Sequence, residues 1–358
     1  RPRELLAVCW GLANSQISGK YDFVKNHELQ IAKVLNCKNL VLVSNGTLAI
    51  ELALRVLSLP KGSRILLPEI GYISAFNILK SLDYVPIVCP VDKNTFQLDL
   101  DYLSINLKTL SPRLILVIHN YGYTCDMTKL SKICEDNNIL LLEDCAEAIG
   151  TTFDGRSVGN FGDLATFSFF ANKNITCGEG GAVVFKKKED EIRARNLMNQ
   201  NVKDKFLMTT YGEGFNYRLS AILSSLLKNQ ARQLERVLRK KKKILLKYKE
   251  NLSEFEIKFQ DFHPLCNGAP WLINIGLTSK ALRDEISENL KRNGVETRLI
   301  FPPLDSEFYG AHVEHNATLA SREIYATWLS LPSFPSLRQS DIRKICKVII
   351  NSILNSRI

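Results

Sequence analysis

The chain has 358 residues, 45% of them hydrophobic, which is enough to bury a large core, and a formal net charge of +10. No apolar run approaches the roughly 20 residues that a membrane-crossing helix needs, no cleavable signal pattern precedes Arg1, and nine cysteines are scattered without a CxxC pair. The expectation is a cytoplasmic globular protein with one large and one smaller domain, no membrane insertion, no metal centre and no disulfide framework.

Much of the positive excess lies in Arg239 to Lys243, inside an otherwise helical pattern. No aromatic side chains interleave with that run, so it reads as a solvated helix face and not as a nucleic-acid site. Small anionic ligands fit the basic balance. Cys89, Cys145 and Cys346 lie in or beside apolar runs and read as small hydrophobes.

In chain order, ISGKY opens with a turn, SGKY, and leads into a helical pattern that places Phe23, Leu29, Ile31 and Leu35 among polar residues. Short apolar runs then recur at Leu40 to Val43, Ile65 to Leu67, Val85 to Val88, Leu114 to Ile118, Ile139 to Leu142, Leu164 to Phe170 and Ala182 to Phe185. Without polar alternation they read as strands buried on both faces. Helical patterns at Thr47 to Leu57, Ser74 to Ser81 and Lys129 to Asn137 separate several of them. The alternation predicts an α/β fold with a mostly parallel central sheet and helices on both faces.

A long helical pattern from Leu219 to about Leu252 bridges to a second unit. That unit has a strand from Trp271 to Leu277, a helix from Lys280 to Arg292 and a closing helix from Ser340 to Leu354, which make a smaller C-terminal α/β domain. The division is placed at residues 1–235 and 236–358.

In sheets of this kind ligands gather beyond the carboxyl ends of the strands. Lys173 sits there, between the β-rich run Phe167 to Phe170 and the glycines Gly178, Gly180 and Gly181. Its neighbours Phe169, Phe170, Ala171 and Ile175 desolvate it, which favours the neutral, nucleophilic amine and suits Schiff-base chemistry with pyridoxal phosphate (PLP). Such a cofactor requires hydroxyls and amides for its phosphate, a carboxylate for its pyridine nitrogen and a flat side chain against its ring. Ser44, Asn45, Gly46 and Thr47 lie between a strand and an apolar helix, a helix N-terminus that favours an anion or simply a capped helix start. Glu143, Asp144 and Glu147 follow a buried strand, where a carboxylate needs a cationic partner. Asp144 is assigned to the pyridine nitrogen, while helix N-terminal charge suits Glu143 or Glu147. Tyr72 stands at a helix start near the same edge, as a core or interface tyrosine or as a ring platform, and His119 reads as structural.

The motifs ISGKY at 17–21, SNGT at 44–47, EDCAEAIG at 143–150, GDLATFSFFANKNITCGEGGAVV at 162–184 and GFNYRLS at 214–220, in this order, carry a resemblance. Along nearly its whole length the chain resembles the DegT/StrS-type nucleotide-sugar aminotransferases, PLP enzymes of the aspartate-aminotransferase fold type I. The resemblance implies that Lys173 holds PLP covalently and moves protons, that Asp144 binds the pyridine nitrogen, and that Gly46, Thr47 and Ser168 hold the phosphate. It also puts Tyr72 against the ring and Glu147 beside it, where many relatives carry Gln and the GDP-perosamine synthases carry Glu. Asn216 is expected to reach the phosphate of a neighbouring subunit's cofactor, with Arg218 nearby, which implies a homodimer with shared sites.

Departures from the family pattern fall at Gly71, where relatives usually have Thr, at Glu51, where His is common, and at Asp305 after Pro303 and Leu304. The expected reaction passes an amino group from L-glutamate, through the pyridoxamine form (PMP), to a nucleotide-linked 4-keto-6-deoxy sugar, in amino-sugar and lipopolysaccharide O-antigen biosynthesis. A UDP- or dTDP-linked keto sugar aminated at C4 or C3, and a catalytically silent regulator or binding protein, are the alternatives.

Overall fold

The computed structural model describes residues 2–19, 22–204, 206–304 and 318–356. The main sheet begins with β1 (Leu40–Val43), β2 (Arg64–Pro68), β3 (Val85–Cys89), β4 (Leu114–Ile118) and β5 (Leu140–Asp144). A loop carrying the short β6 (Thr152–Phe153) and β7 (Arg156–Ser157) leaves it, and β8 (Leu164–Ser168) and β9 (Gly181–Phe185) return to it. The seven strands lie in the order β1-β9-β8-β5-β4-β2-β3. All pairings among β3, β2, β4, β5 and β8 are parallel, and only β9 runs against its neighbours β8 and β1. The sheet is therefore mostly parallel.

Its strands are buried on both faces because helices cover both. Val41, Val43, Ile65 and Leu67 point into one core with α3 (Gly46–Leu57), α4 (Ser74–Ser81) and α7 (Lys188–Leu197). Their alternates Leu40 and Leu42 pack with α2 (Asp22–Val34) and α8 (Ala221–Ala231), while Leu66 packs with α5 (Leu100–Leu110) and α6 (Met127–Asp136). The two-residue period of a strand produces this division. Helix α1 (Pro2–Ala13) lies against α8.

The pattern from Leu219 to Leu252 is two helices, α8 and α9 (Leu234–Asn251). Between them Gln230 and Gln233 both donate at 2.8 Å to one Glu4 oxygen, an anchor from α1 that helical periodicity does not reveal. Leu234 and Leu238 of α9 pack with the main sheet, whereas Ile244, Tyr248 and Leu252 pack with a second sheet. That sheet orders Lys258–Phe259, Ile273–Gly276, Trp328–Leu331 and Arg298–Leu299 in antiparallel register. Helix α10 (Lys280–Arg292) and the C-terminal helix Gln339–Asn355 cover it.

A smaller apolar cluster joins the two sheets. It includes Ile70, Phe96, Tyr121, Trp271, Ile300 and Trp328 and forms one wall of the site described next. Among the described residues no helix is long and apolar enough to cross a membrane.

Candidate active site

The carboxyl ends of β1, β2, β4, β5 and β8 bring most of the expected residues to one edge. Strand β5 extends two residues further than its apolar run, so Glu143 and Asp144 belong to the strand itself. A turn without a helix follows. Helix N-terminal charge is therefore not what Glu143 or Glu147 provides. Glu143 is fully buried, accepts from the backbone N–H groups of Gly159, Phe161 and Gly162 at 2.7–2.8 Å and lies 3.1 Å from His119 Nε2. It organises the loop before β8. With Cys145, whose thiol burial keeps far above its ordinary value, His119 and Glu143 place ligand-type atoms within 4.8 Å of one another. Glu143's oxygens are already occupied by these four partners, and the cluster reads as structure.

Asp144 is 6% exposed, and its Oδ1 accepts from Ala146 N–H at 3.0 Å and lies 3.4 Å from Thr166 Oγ1. Burial raises its pKa, opposed by the Ala146 hydrogen bond and by the positive charge of Lys173. A carboxylate in this position is stabilised by a cationic nitrogen brought against it.

Lys173 follows β8 on a tight turn, its N–H bonded to Phe170 O at 3.0 Å. Its side chain is 11% exposed and its Nζ stands 3.6 Å from Glu147 Oε1. Desolvation lowers its pKa, with Glu147 and Asp144 pulling the other way and Arg298 adding to the drop. The amine is thus buried, turned inward and biased toward its nucleophilic form. Glu147 is itself buried, accepts from Tyr121 N–H at 2.9 Å through its other oxygen, and is raised to about 7 by burial.

Gly46 and Thr47 open α3, whose cap is Asn45: its side chain accepts from Leu48 N–H at 2.9 Å. The N–H groups at the start of a helix lack intrahelical partners and, with the dipole, favour an anion. Ser168 ends β8 against this helix start so closely that a Cβ on Gly46 would lie 2.8 Å from Ser168 Cβ. Gly181 lies equally tight, its ideal Cβ 2.3 Å from Asn45 O. The glycines thus allow amides and a hydroxyl to converge on one small space.

Tyr72 is 57% exposed at the open side and joins the rest through Phe301, at a ring separation of 5.7 Å. Phe301 stacks on Tyr121 at 5.5 Å and on Trp271 at 6.2 Å, which continues an aromatic wall to Lys173. Lys173 Nζ lies over the Trp271 ring at 3.8 Å from its centroid.

Asn216 is not gathered with these groups. It lies exposed on a segment that runs beside β1, where Ser44 N–H donates to Tyr217 O at 2.8 Å and Ser44 Oγ to Arg218 O at 2.9 Å. Arg218 donates to Asn199 at 3.0 Å. Of the departures, Glu51 accepts from Tyr217 Oη at 2.9 Å and Arg55 Nε at 2.8 Å, tying α3 to that segment. Gly71 packs against Ile118, whose Cδ1 would lie 2.6 Å from an added Cβ. Asp305, and Lys20 and Tyr21 of the ISGKY motif, lie outside the described residues. Gly19 of that motif packs against Leu219 O, 2.3 Å from its ideal Cβ.

Sequence reasoning missed Trp271 and Lys241. Trp271 is visible only as the first residue of an apolar strand run. Lys241 lies inside the run 239–243, and the expected solvated face holds at Arg239, Lys240 and Lys243 but fails at Lys241, which is 4% exposed. Its position at helical spacing three residues before Ile244 was the available signal.

Comparison with known proteins assigns the class. The DegT/DnrJ/EryC1/StrS aminotransferase family pattern matches residues 2–350, and the chain belongs to that family. It is accordingly a PLP-dependent aminotransferase. GDP-perosamine synthase of Escherichia coli O157:H7 is 30% identical over 98% of this chain and 94% of its own length. The enzyme of the same name from Vibrio cholerae is 30% identical over 94% of this chain and 92% of its own. Aminotransferase TlmJ of Streptoalloteichus hindustanus shares the fold with a TM-score of 0.92 at 23% identity, covering 99% of this chain and 96% of that one. Helicobacter pylori PseC, an aminotransferase involved in the biosynthesis of pseudoaminic acid, does so with a TM-score of 0.89 at 21% identity, covering 99% and 96%.

Proposed function

We propose that the chain aminates C4 of a GDP-linked 4-keto-6-deoxy hexose with L-glutamate as donor, in the manner of a GDP-perosamine synthase. The observation that carries this reading is the 30% identity to two enzymes of that name, over 98% and 94% of the chain. Glu147, 3.6 Å from Lys173 Nζ, is consistent with it, since the family resemblance implies a Glu at this position in GDP-perosamine synthases.

Bound at this edge, PLP supplies an electron sink and a carrier for the amino group between donor and sugar. The chain's own residues do the rest. Gly46 and Thr47 offer N–H groups and a hydroxyl to the phosphate, and Ser168 adds a second hydroxyl. Asp144 would hold the proton on the ring nitrogen, and Tyr72 would cover one face of the ring. Lys173 Nζ would be the amine that holds the cofactor and would move the proton at the substrate carbon, tasks that its buried position and lowered pKa suit. Asn216 acts on the phosphate of a second copy, so the working form is a homodimer. Residues 1–235 form the cofactor domain and 236–358 the small domain.

Incubation with glutamate and a panel of GDP-, UDP- and dTDP-linked keto sugars tests the substrate. Formation of 2-oxoglutarate together with a mass gain for amination in the GDP-linked 4-keto arm alone is expected. Amination confined to a UDP or dTDP arm contradicts the GDP assignment.

A further inference from the structure

Trp271 is held through its main chain, its indole N–H and its ring. Its backbone N–H donates to Tyr121 O at 3.0 Å, and its indole Nε1 donates to Asn172 O at 2.9 Å, one residue before Lys173. Its carbonyl oxygen accepts from Lys241 Nζ at 2.6 Å and from Ser333 Oγ at 3.0 Å. The ring stacks at 6.1 Å on Tyr121, whose own N–H binds Glu147. Phe301 also stacks on the Trp271 ring, at 6.2 Å, and Lys173 Nζ lies over that ring at 3.8 Å from its centroid.

Lys241 is an odd residue to find beneath this ring. An ammonium removed from water loses hydration that a single carbonyl does not restore in full, and an apolar side chain at the same helical position would avoid the loss. Burial, and secondarily the charge of Lys173, bring it down to about 7. The charged groups that face Lys173 are Glu147 and Asp144 from β5 and the turn after it, Arg298 from the small sheet, and Lys241 from α9. The carboxylates favour a proton at Lys173 Nζ and Arg298 opposes it, while Lys173 disfavours a proton on Lys241; because repulsion is mutual, a protonated Lys241 disfavours one at Lys173.

We propose that Lys241 is a positioning residue for Lys173: it fixes the main chain of Trp271, and so the ring on which the reactive amine rests, and opposes a second positive charge there. This rests on Lys173 being the lysine that bonds the cofactor. Helix α9 packs on both sheets, so the contact also sets the small sheet in register with the reacting amine.

The test uses the PLP-loaded protein and the absorption band of the lysine–cofactor bond, titrated with pH. Lys241→Met should raise the midpoint of that titration by about half a pH unit or more, since removing a nearby cation favours the protonated bond. It should also lower kcat/KM by about tenfold while KM for glutamate changes little. Lys241→Arg, which keeps charge and donor, should restore the midpoint. Lys241→Gln, which keeps a donor without charge, answers the same question if Lys241→Met does not fold. Borohydride reduction and peptide mapping separate the two layers. A bond at Lys173 with an unmoved midpoint in the Met and Gln variants overturns the role of Lys241 alone, even if their melting temperatures fall. A bond mapped to another lysine overturns both.

Discussion

Burial lifts Glu147 to about 7 from an ordinary 4.5, even though Lys173 and the Tyr121 N–H both favour its ionised form. In the cofactor-free protein the sign of the effect on stability follows directly. Between about pH 4.5 and 7 the folded state holds a proton that the unfolded chain has released, so stability falls as pH rises through that window and is level above it. Glu147→Gln keeps the acceptor for Tyr121 and removes the titration. Unfolding free energies from urea titrations at pH 5 and pH 8 should therefore differ less in Glu147→Gln than in the parent, by a few kcal/mol at most. An identical pH dependence in both proteins would show that Glu147 ionises freely. At Asp144 the expectation is catalytic: Asp144→Asn keeps the shape and loses the charge, and steady-state rates should fall on the order of 10²–10³-fold with the fold intact by circular dichroism. Lys173, Asp144 and the SNGT turn were legible in the sequence because each follows an apolar run at a strand end. Lys241 was not, since its neighbours in the run 239–243 are solvated and a charge says nothing of the side on which it lies.

Elements explain why the cradle is so compact. Strand β9 is the one antiparallel member of the main sheet, and it inserts between β1 and β8 with Gly181 opposite Ser168 and Val43. Its backbone passes so near Asn45 that a Cβ on Gly181 would sit 2.3 Å from Asn45 O. Gly181→Ala must push the capping turn of α3 away from Ser168. We expect a loss of about 1–3 kcal/mol in unfolding free energy and a weaker PLP dissociation constant by fluorescence titration. Unchanged affinity would separate this strand from the cradle. Periodicity had predicted the strands well, and α4 and α10 to the residue. It could not give the direction of β9, because parallel and antiparallel strands buried on both faces carry the same apolar run. Nor could it see the break between α8 and α9, where Gln230 and Gln233 bind Glu4 of the distant α1.

At the scale of the molecule, the hairpin with strands Val202–Asp204 and Thr209–Thr210 exposes Phe206 at 93% and Met208 at 76%, close in sequence to the exposed Asn216. Large apolar side chains left in water fit the proposed surface covered by a second copy. Sequence motifs gave Asn216 by resemblance, while no local pattern in this chain reveals a partner. If Asn216 serves the neighbouring subunit, Asn216→Ala and Lys173→Ala are each nearly inactive as homodimers but complement each other when mixed. Denaturing and refolding them together should restore about one quarter of the parent activity, because half of the dimers are hybrids with one intact site. No recovery in hybrids verified by mass would place Asn216 and Lys173 in the same site.

The claim on which the rest depends is a covalent bond between Lys173 Nζ and the cofactor. Reducing the yellow enzyme with borohydride, digesting it and sequencing the modified peptide by mass spectrometry tests it most directly. A phosphopyridoxyl group on Lys173 is expected; a modification on Lys241, on any other lysine or on none would contradict that bond.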